Sequence, residues 1–228
     1  MNQGEFLMKN YYRYIILLSI LSWIFTTISF PQFNDKIGQI SISLGTAIPS
    51  LPENFREYWK SALNIGLGYS DTVGDGNLGH AELGGVIDYN RFTLDKNLYR
   101  NNFDAKRFSP NAQATDLSIS GGLNEVVTIM AIFKGSFSKF DNNFSPYFII
   151  GIGVLTHTAH ELSVSYNDAQ INDQGNSVSR LGWEIGGGID FPITNMLTLF
   201  LEGKYTIGTS TETATQLAPF HIGARFQY

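Results

Sequence analysis

The acidic and basic residues of this chain recur at polar positions that alternate with large apolar residues, as Glu184 does between Trp183 and Ile185. Acids and bases gathered on one face can pair as salt bridges, or they can pass protons or small solutes along that face. Because an unpaired charge is costly where water is scarce, we favour ion pairing. The candidate interior charges are Glu82, Asp88, Glu184, Asp190, Glu202, Lys204 and Arg225, with Lys134 if its ambiguous face is the polar one.

The histidines are candidates for a metal site or a catalytic site. His157 and His160 lie three residues apart in "THTAHELS", so an extended chain puts them on opposite faces and they cannot bind one metal without a bend. His160 and Ser163 could belong to a lipid hydrolase, but the sequence supplies no third member of a triad at a readable spacing. We therefore expect no catalytic residue, no metal site and no cofactor, and we retain a lipid-modifying enzyme as a less favoured alternative.

A basic tract, "RNNFDAKRF", lies in the longest connection of the chain and contains Arg100, Lys106 and Arg107. Guanidinium and ammonium groups form charge-assisted hydrogen bonds with phosphate oxygens. The tract is therefore a candidate anion-contact loop, and an ordinary solvated loop is the alternative.

The elements that must position these groups are β-strands, since apolar residues recur at every second position. The nearest approach to helical spacing is the short stretch "ENFREYWKSAL". Eight alternating segments stand out, around residues 40–44, 63–69, 81–89, 127–133, 148–154, 181–191, 197–207 and 220–228.

The connections between the segments alternate in length. The second, fourth and sixth are short ("VGDGNL", "SKFDNNFS" and "PITNM"), whereas the first, third, fifth and seventh are longer. Antiparallel strands joined in this way place all the longer loops at one end, as in barrels that cross an outer membrane. The sequence thus predicts an all-β fold, an eight-stranded antiparallel up-and-down transmembrane β-barrel.

The size of such a barrel decides which face points inward. Eight strands leave an interior that side chains alone can fill, and the polar faces carry small residues such as Gly66, Gly68 and Gly186 beside the charges. We therefore expect the charges inside and the bulky apolar faces against lipid; a soluble barrel with inverted faces is the alternative. Every backbone group must be paired in lipid, so the last strand should pair with the first. Aromatic residues near strand ends are candidates for an interface girdle: Tyr58, Trp59, Tyr69, Tyr89, Phe92, Tyr147, Tyr166, Trp183, Phe191, Phe220 and Tyr228.

The start of the chain has the pattern of a secretory signal peptide. Basic residues precede a short apolar run, and small residues follow it before Pro31. The run is shorter than the roughly 20 residues that a membrane-spanning helix needs. We expect a signal peptide at residues 1–29 and an outer-membrane barrel domain at residues 30–228.

Composition restricts the function classes further. Charged residues make up only 15% of the chain, below the roughly 25% usual in soluble domains. The formal net charge of -5 gives no support to nucleic-acid binding. The absence of cysteine excludes disulfides, cysteine-based metal sites and thiol catalysis.

The last residues of the chain resemble a known C-terminal sequence signal. His221, Gly223, Phe226 and Tyr228 resemble the C-terminal assembly signal of bacterial outer-membrane barrels, which the barrel-assembly machinery recognises in that class. The chain is similar to the opacity, attachment-invasion and porin-like family of eight-stranded barrels, in the stretches "FREYWKSALNIGLGYS", "VIDYNRFTLD" and "GGGIDFPITNMLTLFLEGKY". The resemblance implies the outer membrane as location, with its lipid and lipopolysaccharide as partners. We expect a non-enzymatic structural, surface-contact or adhesion-type role, with a narrow channel or small-solute transporter as the alternative.

Overall fold

A computed structural model describes residues 38–76, 79–137, 144–209 and 214–228. The expected signal peptide at residues 1–29 lies outside the described residues, as do parts of the second, fourth and seventh connections. The described residues form eleven strands, numbered in chain order: β1 (Gly38–Leu51), β2 (Ala62–Gly76), β3 (Gly79–Thr93), β4 (Ser118–Gly121), β5 (Leu123–Ser136), β6 (Ser145–Ala159), β7 (Leu162–Tyr166), β8 (Ala169–Asp173), β9 (Asn176–Thr194), β10 (Leu197–Gly208) and β11 (Thr215–Gln227).

Eight of these strands close into a barrel in the order β1-β11-β10-β9-β6-β5-β3-β2. All neighbouring strands are antiparallel, and apart from the closing pair of β1 and β11, neighbours in the barrel are consecutive barrel strands along the chain. The first and last strands meet in register, with Ile40 opposite Phe226 and Leu44 opposite Ile222. The predicted fold class, the eight alternating segments and the pairing of the two end strands are confirmed.

The longer connections are more ordered than the sequence indicated. Helix α1 (Glu53–Tyr58) follows β1, and helix α2 (Lys96–Asn102) follows β3. The strands β4, β7 and β8 form a separate three-stranded sheet. These elements all lie at one end of the barrel, here called the outer end, and together they form its loop cap.

Two apolar clusters occupy the outer end. The outer plug consists of Ala47, Phe55, Ala62, Phe92, Val126, Leu155 and Leu217, with Trp59 packed against it. Six of its residues come from barrel strands, and Phe55 comes from α1. The loop-cap core consists of Leu94, Ala105, Leu117, Ile119, Leu162 and Val164. Burying these side chains holds the loop cap to the barrel, because apolar burial is the main driving force for packing.

The outward face of the barrel is a belt of exposed apolar side chains, since residues at alternate positions of a strand point to opposite faces. Exposed positions include Ile42, Leu67, Ile129, Ile150, Ile185, Leu201 and Ile222. Among the described residues, no helix is long and apolar enough to cross a membrane.

Candidate functional site

The centre of the lumen is filled by ion pairs contributed by five strands. Lys134 on β5 places its Nζ 3.1 Å from Glu82 Oε1 and 2.8 Å from Asp190 Oδ2. Arg225 on β11 also hydrogen-bonds Asp190, and its Nη2 lies 3.5 Å from Glu202 Oε2. These side chains are almost inaccessible, so each base offsets the burial cost of the acids beside it.

A second group of ion pairs centres on Lys204. Its Nζ lies 2.7 Å from Asp88 Oδ2, 3.6 Å from Glu202 Oε1 and 3.7 Å from Glu184 Oε2. The side chain of Lys204 is 2% exposed. The seven candidate interior charges and Lys134 are therefore brought together in one lumenal network, although the sequence left the face of Lys134 open.

Two aromatic side chains complete this network, Phe200 and Tyr147, of which Tyr147 was expected in the interface girdle. Tyr147 donates a hydrogen bond to Glu202 at 2.9 Å, and its ring centroid lies 4.8 Å from Arg225 Cζ. The Phe200 ring centroid lies 3.9 Å from the same Cζ atom. A cation over an aromatic face gains electrostatic stabilisation that grows when water is excluded. Both rings therefore stabilise the buried guanidinium of Arg225.

The prediction of an aromatic interface girdle is therefore wrong for several of the residues assigned to it. Tyr147 and Phe92 are buried inside the barrel, at 4% and 0% exposure. Tyr58, Trp59 and Tyr166 pack within the loop cap instead of at the lipid surface. Four members lie on the outward surface with exposed rings: Tyr69, Trp183, Phe220 and Tyr228.

The histidines do not form a hydrolytic site with Ser163. His160 places its Nε2 2.8 Å from Glu125 Oε2 at the outer end of β5. Ser163 accepts a hydrogen bond from Gln170 instead. His157 faces the outer plug, with its ring centroid 5.0 Å from that of Phe55. Across the described residues, no group of three or more His, Asp or Glu side chains is arranged to hold a metal ion.

The outer plug closes the lumen above the ion pairs. Phe55 is 2% exposed, and its ring packs against Phe92 with centroids 4.7 Å apart in an edge-to-face arrangement. Leu155 and Leu217 are fully buried in the same cluster. A cavity of about 40 Å³ remains in the lumen. It is much too small for a continuous aqueous channel, since one water molecule alone needs about 10–15 Å³.

The basic tract lies on the surface of the loop cap. Arg100 is in the last turn of α2, and Lys106 and Arg107 form part of a short 3-10 turn, Ala105–Arg107. Lys106 and Arg107 are exposed, and Arg107 lies over the Phe103 ring with its Cζ 5.6 Å from the centroid. None of the three bases makes a salt bridge with any acid in the described part of the chain.

Helix α2 is fixed by its N-cap. Asp95 accepts hydrogen bonds from the backbone amides of Leu98 at 3.1 Å and Asn97 at 3.2 Å. These amides stabilise the ionised carboxylate, as expected at a helix N-terminus. The hydrogen bond from Leu98, with help from the nearby Lys60 ammonium, lowers the pKa of Asp95 below its ordinary value.

The residues of the proposed assembly signal lie on both faces of β11, with Tyr228 directly after its end. His221 is buried in the lumen with its Nδ1 3.5 Å from Glu202 Oε1, and Gly223 lies where an added Cβ would overlap the Phe200 ring. Phe226 and Tyr228 are exposed on the outward side. The strand thus combines a polar inner face with a bulky apolar outer face at the seam of the barrel.

Solved structures of other proteins have a fold similar to that of this barrel. A major outer membrane protein from Thermus thermophilus superposes with a TM-score of 0.52 at 10% identity, covering 86% of this chain and 100% of that one. The chain folds as an eight-stranded outer-membrane β-barrel. The attachment invasion locus protein Ail of Yersinia pestis gives a TM-score of 0.48 at 13% identity, covering 85% and 99% of the two chains. The outer membrane enzyme PagL gives 0.40 at 12% identity, covering 82% and 98%. No family model and no curated protein matches the sequence.

The fold and the surface of the barrel together give its location. A closed barrel with a filled polar interior and an apolar outer belt is stable only where the belt meets lipid. This chain is therefore placed in a bacterial outer membrane, as the sequence predicted, with its belt against the acyl chains.

Proposed function

We propose that this protein is a non-conducting, non-enzymatic outer-membrane barrel whose loop cap makes contacts at the cell surface. The observation that carries the proposal is the double closure of the lumen, by the ion-pair network around Lys134 and Lys204 and by the outer plug around Phe55. A transporter or channel needs a continuous polar path, and such a path would have to cross both layers.

Conductance across a planar bilayer tests the closed lumen. The purified full-length protein should give no steady single-channel current. The variant Phe55→Ala, which truncates one side chain of the plug, should also stay closed because the ion pairs beneath the plug remain. A stable open state in the unaltered protein would support the alternative of a narrow channel and contradict the proposal.

The structured loop cap favours a contact role over a merely connecting one. Its own apolar core orders the long connections, and ordering them would cost conformational entropy for no gain if they served only as links. The exposed bases Lys106 and Arg107, with Arg100 nearby, make an anionic surface group the partner that best fits this side of the cap. We identify lipopolysaccharide phosphate as the partner to test first.

Binding of purified lipopolysaccharide to the refolded protein in detergent tests this contact. The double variant Lys106→Ala/Arg107→Ala should bind roughly 30-fold more weakly, since each base near an anionic surface contributes about 1 kcal/mol. The matched control Arg56→Ala/Lys96→Ala removes two exposed bases of the same cap outside the tract and should change binding little. Equal losses in both variants would indicate a general charge effect and would remove the tract from the proposal.

An enzymatic role receives less support from the local geometry. His160 is paired with Glu125, and Ser163 accepts its hydrogen bond from Gln170, so the two residues do not form a nucleophile–base pair. Cells producing Ser163→Ala or His160→Ala should have the same lipid A composition as cells producing the unaltered protein. A change in lipid A that depends on either residue would establish the enzyme alternative.

Assembly through the last strand is part of the same proposal. Phe226 and Tyr228 present apolar rings beside the β1–β11 seam, which suits recognition by the barrel-assembly machinery. Phe226→Ala should lower the amount of folded protein in the outer membrane, whereas Tyr205→Ala, an exposed aromatic on β10, should lower it much less. Equal yields of the two variants would contradict this role.

A further inference from the structure

One lumenal carboxylate, that of Glu184, differs from all the others in the network. Its side chain is 1% exposed, and neither of its oxygens has a hydrogen-bond partner among the described residues. The nearest base is Lys204, whose Nζ is 3.7 Å away and donates its hydrogen bond to Asp88 at 2.7 Å.

The charge balance of the network points to the same residue. The five carboxylates of Glu82, Asp88, Glu184, Asp190 and Glu202 share three permanently charged bases, Lys134, Lys204 and Arg225. Two histidines also approach the network, but His80 contacts Glu82 and His221 contacts Glu202. The next base along β9, Arg180, is bonded to Thr215 towards the outer end. Glu184 is thus left without a charge partner of its own.

The space beside Glu184 is polar and large enough to hold a small occupant. The cavity of about 40 Å³ is lined by Glu184 and Glu202 together with the hydroxyl-bearing Ser41 and Ser43. Asp88 Oδ1, which also lacks a hydrogen-bond partner in the described chain, points over Gly66 beside Ser43. A polar cavity of this size holds about three water molecules or a small hydrated ion.

We propose that this cavity binds one unit of positive charge against Glu184, either as a proton shared with cavity water or as an alkali-metal ion. Both occupants supply the same chemistry, a single compact positive charge for a buried carboxylate that lacks a hydrogen-bond partner among the described residues. A divalent ion does not fit, because the ammonium of Lys204 and the guanidinium of Arg225 line the same cavity. The charged and titratable groups that face Glu184 are Asp88 from β3, Glu202 and Lys204 from β10, and His221 from β11.

Thermal unfolding of the full-length protein in detergent micelles, compared with Glu184→Gln, tests the site and separates the two sources. If the occupant is a proton, the folded protein binds one more proton than the unfolded chain. Its unfolding constant then rises by up to about tenfold per pH unit as the pH is raised, and this dependence is lost in Glu184→Gln. If the occupant is an alkali-metal ion, replacing choline chloride by sodium or potassium chloride at constant ionic strength raises the Tm of the unaltered protein but not that of the variant.

A second variant keeps the proposal falsifiable. Asp190→Asn removes a carboxylate that is paired with both Lys134 and Arg225, so it should lower the Tm at every pH and retain the proton or salt dependence of the unaltered protein. Glu184→Gln should fold as well as the unaltered protein, because it is an uncharged group of the same shape. Identical pH and salt responses in the unaltered protein and Glu184→Gln would overturn the proposal, as would failure of Glu184→Gln to fold while Asp190→Asn folds.

Discussion

Replacing Phe55 by alanine tests whether the outer plug holds the loop cap on the barrel. Phe55 is the one member of the plug that comes from α1, and it is 2% exposed. Its ring contacts Phe92, with centroids 4.7 Å apart, and His157, with centroids 5.0 Å apart. Truncating a buried phenylalanine to alanine costs about 3–5 kcal/mol through lost burial and the cavity left behind.

This cost should appear as local opening of the loop, because the barrel strands beneath keep their own hydrogen bonds. Taking the lower value of about 3 kcal/mol, the open population of the β1–β2 connection rises more than a hundredfold. Arg56 and Lys60 are trypsin sites in the same connection, and their side chains are already exposed. Their backbone can enter the protease active site only when the ordered connection opens. We therefore expect cleavage between β1 and β2 of the folded, micelle-bound protein to accelerate by about two orders of magnitude.

The control is Leu98→Ala, which truncates an exposed apolar residue of α2 and should leave the cleavage rate within about threefold of the unaltered protein. The barrel itself should keep its heat-modifiable migration on a gel in both variants. If trypsin cleaves Phe55→Ala no faster than Leu98→Ala, the plug does not hold α1 and the reasoning fails.

Three further predictions concern the lumen, the seam and the loop cap. Lys134→Met leaves Glu82 and Asp190 with one fewer base. The free energy of unfolding in micelles, measured by urea titration, should therefore fall by about 3–5 kcal/mol. A change below about 1 kcal/mol would show that the ion pairs are not needed for the stability of the barrel. Gly45→Ala should lower the yield of a refolding assay, because the added Cβ would overlap the Phe220 carbonyl oxygen across the β1–β11 seam. The control Gly203→Ala should fold normally in the same assay, because its Cβ meets the Phe220 ring at an ordinary contact distance of 3.4 Å. The lowered pKa of Asp95 stabilises the N-cap of α2 above the ordinary aspartate pKa of about 4, and this stabilisation is lost as the pH falls through the folded value. The protection of the α2 amides against hydrogen exchange, taken relative to the intrinsic exchange rate at each pH, should therefore fall on acidification. In Asp95→Asn, which has no carboxylate to protonate, this protection should not change with pH.

The barrel was predictable from the sequence because two simple regularities act together. Alternation of apolar and polar residues gives the strands and their faces, and alternation of connection length gives the antiparallel order. The same parity also places Tyr147 and Phe92: Tyr147 adjoins the outward Phe148, and Phe92 shares its face with Asp88. Their position near strand ends suggested a girdle, but strand parity, which reflects the backbone geometry, is the stronger signal.

The face of Lys134 could not be predicted because both faces of β5 carry large apolar residues. Met130 and Ile132 point into the barrel, where Met130 is 1% exposed and fills the space beside Gly182. The inner face of β5 can be apolar at this point because Gly182 on β9 leaves room for the Met130 side chain. This contact is visible only in the assembled barrel.

The loop cap was not predictable for a different reason. The strands β4, β7 and β8 have four or five residues each, too few for alternation to stand out from a loop. The pairing of β4 with β7 and the contact of His160 with Glu125 join residues more than thirty positions apart. Local sequence pattern carries no information about contacts of this range.

The hairpin formed by β7 and β8 has a consequence for the use of this protein as a scaffold. Its turn contains Asn167, with a left-handed φ of 49°, and the exposed Asp168, and neither residue belongs to the outer plug or to the loop-cap core. A foreign epitope spliced between these two residues would interrupt no barrel strand and no ion pair. It would be presented at the tip of the loop cap, beyond the apolar belt of the barrel.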